Sequence, residues 1–215
     1  MTRHFTLMDC EQRSPEWHAA RAGLLTASRA ADMLATIKTG EAAARRDYRL
    51  QLVTERLTGH PQEDGFVNAA MQRGIDVEPL ARMAYEAATG ELVQQCGFLR
   101  HDALMTGCSI DGYLGDFETI LTIKCPKSST HLGYLQAGRF PVQYEPQMLH
   151  ELWITGASRY EFLSFDDRFP QRMRCFRVSV ERSSLEPAIA DYALKAAAFL
   201  KEVDEQAAAL ARLAS

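Results

Sequence analysis

Two short apolar runs with charged ends constrain this chain more than any other feature. Residues 105–113 (Met-Thr-Gly-Cys-Ser-Ile-Asp-Gly-Tyr) and 120–125 (Ile-Leu-Thr-Ile-Lys-Cys) are of strand length, and the second is dense in β-branched residues. The segment Asp116-Phe-Glu118 supplies a turn between them. The pair predicts neighbouring strands of a sheet, with Asp111 near the end of one and Lys124 near the end of the next. A lysine is seldom placed in a buried run unless its ammonium has a partner or a task. One reading is a strand-end lysine that snorkels to water. An acid on the adjacent strand and the Cys125-Pro126 breaker after the lysine favour a polar site instead.

The flanking segments follow a helical period. Ser14 before Pro15 is a helix start, an N-cap hydroxyl with proline at the first helical position, and that helix runs to about Arg21. A second short helix is predicted from Thr26 to about Leu34, capped by Thr26 or Ser28, and a third from Glu41 to Leu57, closed by Gly59-His-Pro61. Residues 60–65 read as a polar loop. Residues 68–89 read as a longer helix eased at Gly74, with a kink or two abutting helices at Pro79. From Glu91 the period shortens towards strands: 92–100, 105–113, 120–125, 160–165 and 175–181, the last alternating Phe176, Val178 and Val180 with polar residues. Helices are predicted over 128–137, 145–154 and 185–213, the last with Leu200, Val203, Ala207, Leu210 and Ala214 on one stripe. This order predicts an α/β (α+β) chain of one domain: a helical part over about 14–90, a core with a central mixed sheet over about 91–182, and a terminal helix.

A chain of 215 residues with 47% apolar and 24% charged residues has the composition of an ordinary globular protein with a real core. No apolar run approaches the roughly twenty residues that cross a bilayer, and the N-terminus lacks a signal-peptide core. Five cysteines without CxxC spacing argue against a disulfide framework or zinc site and predict a reducing, cytoplasmic setting. Cys96, Cys108, Cys125 and Cys175 all fall in predicted strands, as small core residues. The net charge of −4 opposes a polyanionic partner only weakly, since phosphate attraction depends on a local patch. Arg45, Arg49 and Arg56 share one face of the third helix, either a solvated face or a phosphate contact.

Asp111-Gly112, ten residues, and Ile123-Lys-Cys-Pro-Lys-Ser128 resemble the core of the lambda-exonuclease/YqaJ-type phage recombination nucleases, within the PD-(D/E)xK nuclease superfamily. Ser14-Pro-Glu-Trp-His-Ala-Ala-Arg21 with Gly23 to Ser28 is similar to that family's N-terminal segment. Arg73-Gly-Ile-Asp-Val-Glu-Pro-Leu-Ala-Arg82 resembles its Gly-x-x-x-Glu helix. Tyr144-Glu-Pro-Gln147 and Leu152-Trp-Ile-Thr-Gly156 resemble its glutamine-bearing helix, and Tyr160 to Arg168 the strand after it. The resemblance covers roughly residues 14–182, with its motifs in the family's order. It departs at Thr122, where the family carries the Glu of Glu-x-Lys, and at Ile110, where lambda exonuclease has proline.

The resemblance implies a restriction-endonuclease-like core and a Mg²⁺-dependent 5′→3′ exonuclease acting on linear double-stranded DNA, leaving 3′ single strands. Phosphodiester hydrolysis needs an activated water, a clamp on the phosphate and charge relief at the leaving oxygen, which divalent ions on carboxylates supply. By resemblance Asp111, Glu78 and the carbonyl of Ile123 would hold two Mg²⁺ ions, with Mn²⁺ a substitute. Lys124 would orient or deprotonate the attacking water, or stabilise the phosphorane as a cation, and Gln147 would hold that water or the lysine. Arg21, Ser28, Ser109 and Trp17 would hold the 5′-phosphate. A homotrimeric ring and a single-strand annealing recombinase are the implied partners, with no membrane. Thr122 costs the site one negative charge and one hard oxygen ligand. It predicts an impaired enzyme that Thr122→Glu restores, or else a DNA-end-binding subunit without catalysis. A relative with endonuclease or resolvase specificity is a third reading.

Overall fold

The computed structural model describes residues 4–62 and 68–213. Its strands form two four-stranded sheets, which split the expected central sheet. The first sheet contains β1 (Phe5–Met8), β2 (Leu25–Thr26), β3 (Phe98–His101) and β4 (Thr106–Cys108), in the order β1-β3-β4-β2. The second contains β5 (Gly112–Leu114), β6 (Thr119–Lys124), β7 (Arg159–Phe165) and β8 (Cys175–Glu181), in that order. The predicted run 105–113 is therefore two strands in different sheets, broken at Ser109-Ile-Asp111. That break turns Asp111 out of a regular ladder.

β6 pairs with β7 in parallel and with β5 antiparallel, so it is the central strand of a mixed sheet. It is buried over its whole length except at Lys124. Alternation of side chains divides it between two cores. Leu121 and Ile123 face one cluster with Leu163 and Phe165 of β7 and Val77, Ala81 and Tyr85 of α4 (Ala69–Thr89). Ile120 faces the larger cluster with Tyr160, Phe162 and Leu152. Thr122 and Lys124 share the face of Ile120. A strand buried on both faces requires the near-continuous apolar run read from the sequence.

The helix termini follow their caps. α1 (Pro15–Arg21) begins at Ser14, whose hydroxyl accepts from the Trp17 amide at 3.1 Å. The predicted helix 26–34 is replaced by β2, a 3₁₀ turn over Ala27–Arg29 and a single turn, α2 (Ala30–Met33). Thr26 makes no side-chain cap bond. α3 (Ala43–Thr58) ends in a left-handed Gly59. α4 starts at Asn68, whose side chain accepts from two amides, and runs unbroken through Pro79. The single ladder bond that proline removes is outweighed by packing of Val77, Ala81 and Tyr85, so the two abutting helices are not formed. Residues 63–65 of the predicted polar loop lie outside the described residues.

α5 (Ser128–Ala137) and α6 (Glu145–Thr155) lie in the crossover between β6 and β7, and α7 (Glu186–Ala211) packs on α3 and α6. Leu200 and Val203 of its predicted stripe are buried, Leu210 is exposed, and Ala214 lies outside the described residues. Of predicted strand 92–100, only Phe98 onward is in the ladder, with Gln94 in an isolated bridge to Tyr113. Cys96 accordingly lies in a loop and Cys125 just past β6. All five cysteines are free thiols. β1, in a terminal segment without a strong period, was not anticipated.

Buried His150 fixes α6 against the first sheet. Its Nε2–H donates to the Gly107 carbonyl at 3.0 Å, and its Nδ1 accepts from the Tyr192 hydroxyl at 2.7 Å. Burial pushes its pKa down to about 3, so the ring is neutral and bridges β4, α6 and α7.

Candidate active site

The Ser109-Ile-Asp111 break, the C-terminal end of β6 and the N-terminal half of α6 meet α1 and the 3₁₀ turn around one cleft. The cleft has a volume of about 190 Å³. Asp111, Lys124 and Gln147 line it together with Trp17, Arg21, Ser28 and Ser109. Seven residues chosen from the sequence, up to 130 positions apart, thus share one concavity. Gln12, Arg13, Thr26 and Ala27 complete the lining.

Asp111 is held from below by β6: its Oδ2 accepts from the Ile123 amide at 2.7 Å. Burial raises its pKa; the Lys124 charge opposes this and the Glu78 charge adds to it. An anion so placed gains from any cation brought to it. Gln12 braces the approach to Asp111, its Nε2 donating to the carbonyls of Cys96 at 3.1 Å and Ile110 at 2.9 Å. Lys124 Nζ donates to Gln147 Oε1 at 3.3 Å and stands 5.2 Å from the centre of the Tyr144 ring.

Glu78 is not among the residues that line the cleft and is joined to it through Arg13. Its Oε2 accepts from Arg13 at 2.8 Å and its Oε1 from Arg82 at 3.1 Å. Arg13 lines the cleft, so the carboxylate is tied to its edge, close enough to raise the Asp111 pKa. Among the described residues, no three His, Cys, Asp or Glu side chains are grouped as a ready metal cage. Asp111, Glu78 and a strand-end carbonyl are all hard oxygen donors, the set that suits Mg²⁺ or Mn²⁺, ions that retain several waters and need few protein ligands. The donor chemistry therefore fits a divalent ion, which would compete with Arg13 and Arg82 for the Glu78 carboxylate.

At the other end of the cleft, Trp17 Nε1 donates to Ser109 Oγ at 2.8 Å, and the Arg21 guanidinium lies 3.8 Å from the Trp17 ring centre. A cation–π contact at that distance holds the guanidinium against the indole. Ser28 Oγ lies 3.5 Å from Thr26 Oγ1.

Thr122 does not line the cleft. It is 1% exposed, and its hydroxyl donates to Glu151 Oε2 at 2.9 Å. Glu151 was not anticipated from the sequence. It is 0% exposed, and its Oε1 accepts from Gln147 Nε2 at 2.7 Å. The available signal was its spacing, four residues after Gln147 on one helix face. A carboxylate introduced at position 122 would stand beside that of Glu151 in a buried space, so the two acids would oppose each other's ionisation.

The α3 arginines are paired with protein rather than displayed. Arg45 bonds Glu41 and Glu202, Arg49 bonds Glu41 and Gln206, and Arg56 bonds Asp204. That face locks α3 to α7.

A family model described as the YqaJ-like viral recombinase domain matches residues 16–158. The alkaline exonuclease LHK-Exo of Laribacter hongkongensis superposes with a TM-score of 0.83 at 38% identity, over 94% of this chain and 98% of that one. Its structure in complex with dAMP gives 0.82 at the same identity and coverage. A phage-related exonuclease from Haemophilus somnus 129PT shares the fold, with a TM-score of 0.62 at 15% identity over 87% of this chain and 96% of that one. No curated protein matches.

Proposed function

The chain belongs to the YqaJ-like viral recombinase family, a deoxyribonuclease lineage with a restriction-endonuclease-like core, and from this premise we propose a Mg²⁺-dependent 5′→3′ exonuclease on linear double-stranded DNA. The observation that carries the proposal is the single cleft shared by Asp111, Lys124 and Gln147 at one end and Trp17, Arg21, Ser28 and Ser109 at the other. It offers a hydrolytic centre beside a phosphate pocket. The likeness to an alkaline exonuclease solved with dAMP, a deoxynucleoside monophosphate, supports the same substrate class.

Asp111, Glu78 and the Ile123 carbonyl would hold the divalent ions, with Mn²⁺ able to replace Mg²⁺ in a two-ion site. Bound there, the ions supply an activated water and charge relief on the phosphate. The chain's own residues do the rest. Lys124 directs its ammonium at the attacking water or at the negative charge on the phosphoryl oxygens. Gln147, bonded to Lys124, holds the amine in register. Arg21 presents a guanidinium fork to a terminal 5′-phosphate, and Ser28 and Ser109 add hydroxyls. Trp17 fixes Ser109 and Arg21 in place. An anchored 5′-phosphate beside the hydrolytic centre sets direction and leaves a 3′ single strand. We assign the chain to one nuclease domain acting on DNA ends in the cytoplasm, as a homotrimer working with a single-strand annealing recombinase. No helix among the described residues is long and apolar enough to cross a membrane.

Thr122 favours a second reading, an end-binding subunit with little or no catalysis, because it leaves the strand one carboxylate short. One assay separates the two. Linear duplex with a 5′-phosphate, the same duplex with a 5′-hydroxyl, and closed circular DNA are incubated with Mg²⁺ or Mn²⁺. The exonuclease degrades the phosphorylated linear substrate fastest and leaves the circle intact, and Asp111→Asn lowers the rate at least about a hundredfold while end binding by gel shift survives. Retarded but undegraded linear DNA establishes the second reading, and nicking of the circle refutes the exonuclease.

A further inference from the structure

Glu151 is a buried acid with no ion pair among the described residues. Its oxygens accept from two neutral donors, the Thr122 hydroxyl at 2.9 Å and the Gln147 amide at 2.7 Å. Leaving a carboxylate in such a place costs several kcal/mol when it is ionised, and the neighbours on α6, Leu152 and Met148, show that apolar side chains pack well there. A structural role alone does not account for an acid at this position.

Its placement does. Thr122 and Lys124 project from the same face of β6, and the carboxylate head of Glu151 lies one hydrogen bond beyond the Thr122 hydroxyl. The space that a longer acidic side chain from position 122 would enter is already filled by the carboxylate of Glu151. Through Gln147 the same group is linked to Lys124, since Gln147 donates to Glu151 and accepts from Lys124. The charges of Lys124 and Asp111 both act on it. On the neighbouring strand, the buried hydroxyl of Tyr160 stands beside the same Thr122 and Glu151 side chains.

We propose that Glu151 is the carboxylate this active site requires in place of one at position 122, delivered from helix α6 instead of strand β6, where it supplies negative charge to the divalent-cation pocket. The proposal rests on the metal-dependent nuclease reading above. It makes Thr122 and Glu151 a reciprocal pair: the strand gives up its acid and becomes a hydroxyl donor to the helix that carries it.

The test is Mn²⁺ binding by the full-length protein, measured by calorimetry and by the paramagnetic signal of free Mn²⁺, without DNA. Four proteins are compared: the wild type, Glu151→Gln, Thr122→Glu, and the double variant Thr122→Glu/Glu151→Gln, with circular dichroism confirming the fold of each. Glu151→Gln is expected to weaken Mn²⁺ at least tenfold. Thr122→Glu alone is expected to gain nothing, and the double variant to return to within about threefold of the wild type, because it moves the charge back to the strand. A Glu151→Gln protein that binds Mn²⁺ as the wild type does, or a double variant as weak as Glu151→Gln, overturns the proposal. Cleavage of 5′-phosphorylated duplex is followed in parallel. If the wild type binds Mn²⁺ in the expected order yet cuts nothing, the exonuclease reading fails while the placement of the carboxylate stands.

Discussion

Replacing Glu151 by glutamine tests the electrostatics of this site through stability alone. Burial pushes the Glu151 pKa from 4.5 up to about 7 in the folded protein, against the favourable bonds from Gln147 and Thr122 and the charge of Lys124. The folded state therefore holds a proton that the unfolded chain has already released between those two values. Unfolding free energy then falls as pH rises through the window from 4.5 to about 7. A displacement of that size corresponds to about 3 kcal/mol, complete above the folded pKa and absent below the unfolded one. Glutamine keeps the shape and one acceptor but cannot ionise. In urea titrations with EDTA at intervals from pH 4 to 8, the variant should lack this loss. The difference between the two proteins should move by about 3 kcal/mol in the variant's favour from the acid to the alkaline end. Parallel stability curves would refute the reasoning, since they would mean that Glu151 titrates alike in the folded and unfolded chains.

Two further outcomes separate structural from functional charge and test the packing around β4. Arg45→Ala/Arg49→Ala should leave DNA-end affinity by fluorescence anisotropy within about twofold of the wild type while lowering stability by about 1 kcal/mol, because both guanidiniums are engaged by Glu41 and the α7 acceptors; a tenfold loss of affinity would return them to the DNA surface. Gly107→Ala should cost at least about 2 kcal/mol in urea unfolding, since an added Cβ would stand 2.4 Å from both the Leu99 carbonyl oxygen and the Phe98 ring; an unchanged midpoint would show that the sheet yields there.

Much of this protein was determined by local sequence. The β-branched run of β6, the Ser14-Pro15 helix start and the glycines closing α3, α4 and α6 are fixed by short-range sterics and hydrogen bonding, which act over a few residues and so leave a readable pattern. Asp111 and Lys124 stood out in the sequence itself, and the resemblance to a nuclease family added Gln147, Trp17, Arg21, Ser28 and Ser109; all seven line one cleft. Other features required three dimensions. Residues 105–113 look like one strand until Ser109-Ile-Asp111 leaves the ladder, a break decided by which sheet each half joins. The α3 arginines read equally as a phosphate contact until α7 brings Glu202, Asp204 and Gln206 against them. The resemblance marked Glu78 as a metal ligand, but only the fold brings Arg13, 65 residues away, onto its carboxylate. Glu151 carried only its spacing from Gln147: an acid on a helix is ordinary, and only the packing of α6 onto β6 buries it against Thr122. Hydrogen bonds within an element are encoded by neighbours in the chain, whereas the charge environment of a site is the sum over whatever the fold brings within a few ångströms.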